Sequence, residues 1–149
     1  MLDRAKIKEI IPHREPFLLL DTVTELKSGH SATGNYYVDP EADWFRGHFP
    51  GYPVFPGVLQ VESLAQLGAV AILSQPEMAG KLALFAGLES VRFRQQVLPG
   101  ATLNLTVEIV RARASFGVGQ GSASVDGKTV LESSLKFALV AGGNNDENR

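Results

Sequence analysis

The chain of 149 residues contains no cysteine, so it can form neither a disulfide nor a thiolate metal site, and a reducing compartment suits it. Histidine is scarce. His13, His30 and His48 are the only three, and no pair has a ligand-like spacing such as HxxxH, which argues against a metal enzyme. An excess of one charge is also lacking: 14 Lys and Arg against 16 Asp and Glu leave a formal net charge of −2, giving no general case for nucleic-acid binding. The amino-terminal MLDRAKIKEIIPHREP is charged and amphipathic, unlike a secretory signal. The most apolar stretch, residues 57–73, is broken by Gln, Glu and Ser and is too short and polar to span a bilayer. A soluble, cytoplasmic protein is the expectation, and 44% hydrophobic residues at this length suit one domain with its own core.

Asp3 is placed to cap a short helix over 3–11 that Pro12 ends. FLLLDTVTEL (17–26) and HSATGNYYV (30–38) read as strands about a Lys27-Ser28-Gly29 turn, and 39–56 as a loop-rich segment with Trp44, Phe45 and a Pro/Gly run. One long helix follows at 57–74. After Pro76 and Gly80, strands are expected at 82–97, 102–114, 116–125 and 128–140, with turns at Pro99-Gly100 and Asp126-Gly127. Two strands, a buried helix and then strands in hairpin succession imply an α+β architecture, a long antiparallel sheet wrapped around a central helix. Residues 1–140 make a single domain and 141–149 a polar, disordered tail. The helix is too apolar to face water on any side, so a sheet on one face and a partner subunit over more of it are expected.

That helix carries a chemical signal. Its sequence from Gly57, GVLQVESLAQLGAVAIL, is almost wholly apolar except around Glu62, Ser63 and Gln66. A carboxyl there is costly to bury ionised, because desolvation favours the neutral form. Gln66, at i+4 from Glu62, shares its helix face and could hold the carboxyl in one rotamer. His48 stands just before Phe49-Pro50-Gly51, a fixed turn, and Gly57 offers an unpaired N–H at the helix start. Histidine is neutral in useful fraction near pH 7 and suits a general base, while a protonated Glu suits an acid. A helix-terminal N–H suits polarisation of a carbonyl. A hydrogen-bonded structural histidine and a buried capping Glu are the bland alternatives for each residue alone; their joint placement is what favours chemistry.

The segment HFPG-x-PV-x-PGV-xxx-E-xx-AQ, from His48 to Gln66, resembles the (3R)-3-hydroxyacyl-[acyl-carrier-protein] dehydratases of bacterial fatty-acid synthesis. PHREPFLLLD (12–21), FAGLESVRF (85–93) and VLPG (97–100) resemble further family motifs in the same order, so the likeness runs from about residue 7 to 140. It implies a hot-dog fold, dimers that commonly assemble three to a hexamer, and dehydration of acyl chains tethered to acyl carrier protein without metal or dissociable cofactor. It further implies that His48 is the catalytic histidine, Glu62 the catalytic carboxylate and Gly57 the donor to the thioester carbonyl, with His48 of one subunit facing Glu62 of its dimer partner. A sister family that also isomerises the double bond has Asp at the carboxylate position, so Glu62 favours the dehydratase-only branch. Glu15 replaces a usual aromatic, Gln95-Gln96 a common Lys/Arg-Pro pair and Ala101 an Asp, departures that bear on oligomer contacts and carrier docking.

Phe55, Val58, Leu59 and Phe85 are candidate linings of an apolar acyl channel; plain core is the other reading, and for Leu88 the preferred one. Arg92 and Arg94 share one strand face and Arg111 and Arg113 another, each pair either solvated surface or a docking patch for an acidic carrier, with Arg92 and Arg94 the chosen pair. His13 and Arg14 are assigned to structure and His30 to an exposed turn. Rival readings are a hot-dog thioesterase or hydratase acting on coenzyme A, and a non-catalytic acyl-carrier-binding protein. The combination of His48, Gly57 and Glu62 argues against both.

Overall fold

The structure, a computed structural model, describes residues 1–142. Asp3 accepts a 2.9 Å hydrogen bond from the Lys6 amide and so caps α1, Arg4–Ile10, as its position before an amphipathic run requires. Six strands follow: β1 (Thr22–Lys27), β2 (Ser31–Tyr37), β3 (Lys81–Phe93), β4 (Thr102–Ala112), β5 (Phe116–Val125) and β6 (Lys128–Ala141). They form one antiparallel sheet in the order β1-β2-β4-β5-β6-β3. The β5–β6 turn is the expected Asp126-Gly127, with φ of 51° and 80°, the paired left-handed conformation that matches strand twist. β6 runs to Ala141, one residue into the stretch read as a tail, and 143–149 lie outside the described residues.

The long helix α2, Gly57–Leu73, lies in the curl of this sheet, and every residue from Gln60 to Leu73 except Glu62 is buried. Close approach depends on bare backbone in β5. A Cβ on Gly117 would stand 2.8 Å from Ile72 Cδ1, and one on Gly121 would stand 3.2 Å from Leu64 Cδ1. Leu64, Leu67, Val70 and Ile72 are at 0% exposure, each contributing roughly 1.5–3 kcal/mol of apolar burial.

Two expectations about the amino-terminal half are corrected. Residues 17–21 are not a strand; β1 begins only at Thr22. Leu18, Leu19 and Leu20 are all buried in succession, which strand alternation does not allow on a one-faced sheet, and their segment lies across α2 instead. Helix side chains replace the missing ladder: Gln66 Oε1 accepts from the Leu19 amide at 2.8 Å, Ser63 Oγ donates to Leu19 O at 2.5 Å, and Gln66 Nε2 donates to Phe17 O at 2.8 Å. The second correction follows from the first. The side of α2 expected to need a partner subunit is covered by the chain's own amino-terminal segment.

β3 ends at Phe93 rather than near residue 97, and it is a sheet edge. Leu84, Phe85, Leu88 and Phe93 on it are 43–51% exposed, so Leu88 is not core. Such an edge presents unpaired backbone groups beside an apolar surface. Among the described residues no helix is long and apolar enough to cross a membrane.

Glu15 joins two cations of α1, Lys8 at 2.7 Å and Arg4 at 3.0 Å. The Lys8 hydrogen bond first, then a backbone hydrogen bond at Glu15 and the Arg4 guanidinium, hold its carboxyl down from 4.5 to about 2. A carboxyl depressed on folding contributes stability above its unfolded value and loses it as pH falls through the folded one. Glu15→Gln should therefore lower the thermal midpoint slightly at pH 7, and the gap should narrow as pH falls from 4.5 toward 2. A gap independent of pH in thermal melts would remove the ion pairs as its source.

Candidate active site

His48 follows a short 3-10 turn, Asp43–Arg46, and its own amide donates to Trp44 O at 3.0 Å. The turn after it closes with mutual hydrogen bonds between Phe49 and Tyr52, both 2.9 Å, with Gly51 at φ 75°, a position that favours glycine. Val54 then clasps the histidine. Its amide donates to His48 O at 3.0 Å, and its carbonyl lies 2.9 Å from His48 Nδ1. A carbonyl only accepts, so Nδ1 carries the hydrogen and the Nε2 lone pair is left free. The ring also stacks on Phe49, centroids 4.1 Å apart.

Nearby, α2 begins at Gly57 behind Pro56, which provides no side-chain cap. The Leu59 and Gln60 amides both turn to Pro56 O, at 3.0 and 3.1 Å, while the Gly57 N–H meets no acceptor among the described residues. His48, Val54, Phe55, Gly57, Gln60 and Phe93 line a cleft of about 400 Å³ with Arg94, Gln95 and Gln96 at its side. Phe93 lies so close over Gly57 that a Cβ there would be 2.8 Å from its ring. A histidine with an unpartnered Nε2 and a residue with a free N–H at the positive end of a helix thus line one cleft.

Glu62 is elsewhere. It lines a second cavity, about 190 Å³, with His13, Ala65, Ala69, Ala83, Phe85 and neighbours. Its side chain is 15% exposed, and Oε2 accepts from Gln66 Nε2 at 2.9 Å, as the i+4 spacing suggested. None of the described cavities contains both His48 and Glu62.

The remaining expected residues divide between these places. Phe55, fully buried, lines the His48 cleft; Phe85 lines the Glu62 cavity and stacks on Phe137 at 6.3 Å. Leu59 packs against the core, whereas Val58 is 77% exposed and lines neither cavity. Arg94 lies one residue past β3, borders the His48 cleft and pairs with Glu132 at 2.6 Å; Arg92, Arg111 and Arg113 are exposed. His30 is exposed beside the β1–β2 turn. His13, read as structural, stands 3.4 Å from Glu62 Oε2 through Nε2. The two are 49 positions apart on different elements, beyond any periodicity that would have linked them.

A single antiparallel sheet curled around one buried helix defines a hot-dog protein, and solved structures of that fold match this chain. The dehydratase heterocomplex ApeI:P from Xenorhabdus doucetiae gives a TM-score of 0.76 at 19% identity, over 95% of this chain and 93% of that one. A hypothetical thioesterase with coenzyme A from Streptococcus pneumoniae TIGR4 gives 0.62 at 10% identity, over 83% and 88%. Likeness at those identities is one of fold alone. Sequence similarity reaches further. Residues 11–134 match the FabA-like domain. The 3-hydroxyacyl-[acyl-carrier-protein] dehydratases FabZ of Bacillus subtilis (strain 168) and of Halalkalibacterium halodurans are each 56% identical over 139 residues, 93% of this chain and 99% of the relative. The chain belongs to the FabA-like family and, within it, to the 3-hydroxyacyl-[acyl-carrier-protein] dehydratases.

Proposed function

We propose that this chain removes water from (3R)-3-hydroxyacyl groups on acyl carrier protein, giving the trans-2-enoyl thioester, with His48 of one subunit working against Glu62 of another. The observation that carries the reading is the free Nε2 lone pair of His48 in the same cleft as the free Gly57 N–H. His48 Nε2 takes the α-proton, and the Gly57 N–H holds the negative charge that develops on the thioester oxygen. Glu62 gives a proton to the departing β-hydroxyl, which leaves as water; the proton on His48 then returns to solvent and Glu62 is reprotonated. The role of the alkyl chain falls to apolar walls, of which Phe55 and Phe85 are the supported members.

Sharing between subunits is supported by the separation of His48 and Glu62 into two cavities of one chain and by the exposed apolar edge of β3. The apolarity of α2, which the chain itself covers, no longer bears on it. A dimer is the minimum unit, and a trimer of dimers and a cytoplasmic location are the family-based expectations. The direct test is the purified protein with 3-hydroxyacyl-carrier substrate, followed by enoyl-thioester absorbance. Formation of the enoyl product supports the reading, and hydrolysis of the thioester in its place would overturn it.

Arg92 on β3 and Arg94 at the cleft side suit an acidic carrier, although Glu132 already offsets one of the two charges. Replacing both with Glu should raise KM for carrier-linked substrate at least about tenfold while changing KM for a small thioester analogue little. An equal rise on both substrates would place these arginines in the pocket or the fold.

A further inference from the structure

We infer that His13 is a positioning residue for Glu62, selecting which carboxyl oxygen is presented to the substrate. This inference rests on the reading of Glu62 as the acid. Two nitrogens approach a single oxygen: Gln66 Nε2 donates to Glu62 Oε2 at 2.9 Å and His13 Nε2 stands 3.4 Å from it without hydrogen-bond alignment, while Oε1 has no partner among the described residues. Both side chains are themselves held. Gln66 accepts from the Leu19 amide and donates to Phe17 O as well as to Glu62. The backbone at His13 is clamped by Arg14, whose guanidinium donates to His13 O at 2.7 Å, Ile11 O at 3.0 Å and Lys8 O at 3.1 Å.

The ring's own chemistry fixes its direction. His13 Nδ1 is buried with no hydrogen-bond partner. A buried N–H without an acceptor forfeits its hydrogen bond, so the neutral ring keeps its hydrogen on Nε2, the nitrogen that faces Glu62. At 3.4 Å the contact is a close approach rather than a formed hydrogen bond, and catalytic contacts often align only with substrate bound. The rest of the cavity wall, Ala65, Ala69, Ala83 and Phe85, is apolar and offers the carboxyl no competing partner. With Oε2 bonded to Gln66 and approached by His13, Oε1 is the oxygen left to give up the proton, and turning the carboxyl breaks the Gln66 bond and lengthens the His13 contact.

The test compares His13→Leu, His13→Gln, Glu62→Gln and the double variant His13→Leu/Glu62→Gln in the full chain, reading kcat and KM on a carrier-linked 3-hydroxyacyl substrate together with thermal midpoint. The expected result is a kcat lower by about tenfold to a hundredfold in His13→Leu with KM nearly unchanged. His13→Gln, whose amide reaches the Nε2 position, should recover most of that loss. On the residual activity of Glu62→Gln, adding His13→Leu should cost less than about twofold, since the two act as a unit. Full kcat in His13→Leu, or the same loss in both backgrounds, or no recovery in a well-folded His13→Gln, would overturn the inference. Wild-type turnover in Glu62→Gln would instead remove the reading of Glu62 on which it rests.

Discussion

His48→Ala and Glu62→Gln are each expected to lower kcat by about 10²–10⁴, the range a positioned general base or acid supplies, while the protein stays folded. The reason differs between them. In His48→Ala the Nε2 lone pair is gone, and with it a single hydrogen bond to Val54 O whose net contribution to stability is only about 1 kcal/mol. In Glu62→Gln the shape is kept, Gln66 can still meet the side-chain oxygen, and only the transferable proton is missing. Single-turnover kinetics with thermal melts separate chemistry from unfolding. Turnover close to wild type in either variant would take that residue out of the mechanism.

A comparable loss is expected when the Gly57 N–H is deleted without disturbing the helix. Proline is well accepted at the first position of a helix, where its absent N–H bonds to nothing in any case. The residue before a proline must be extended, and Pro56 already is, at φ −57° and ψ 135°. Gly57→Pro should thus keep α2 while removing the donor. Because any Cβ at 57 would meet the Phe93 ring at 2.8 Å, Gly57→Ala, which retains the N–H, reports the effect of that Cβ contact. The expected kcat of Gly57→Pro is lower than that of Gly57→Ala by a further 10²–10³ or so, the usual worth of one oxyanion donor. Equal losses in the two would mean that crowding by Phe93, not the N–H, accounts for the effect.

What was legible in the sequence is what local physics decides. Asp3 before an amphipathic run, Asp126-Gly127 between strands, and Gln66 one helical turn past Glu62 each act within a few residues, and each stands where expected. His48 and Gly57 line one cleft because the segment of fixed turns that joins them is short. The misplacements share another cause. Residues 17–21 have a strand's composition, yet Ser63 and Gln66, more than 40 positions away, meet their backbone and hold them on α2. That same tertiary event covers the helix face expected to need a partner and leads into the turn that sets His13 beside Glu62. Leu88 failed for a related reason: apolar character does not say which strand becomes the sheet edge.

The central claim is that one working site combines His48 of one subunit with Glu62 of its partner. Refolding His48→Ala chains together with Glu62→Gln chains in equal amounts tests it most directly. Random pairing makes half of the dimers mixed, and each mixed dimer gathers both lesions into one site and leaves the other intact, so about a quarter of wild-type activity should return. A mixture shown by mass-tagged chains to exchange subunits, yet as inactive as its parents, would contradict the shared site.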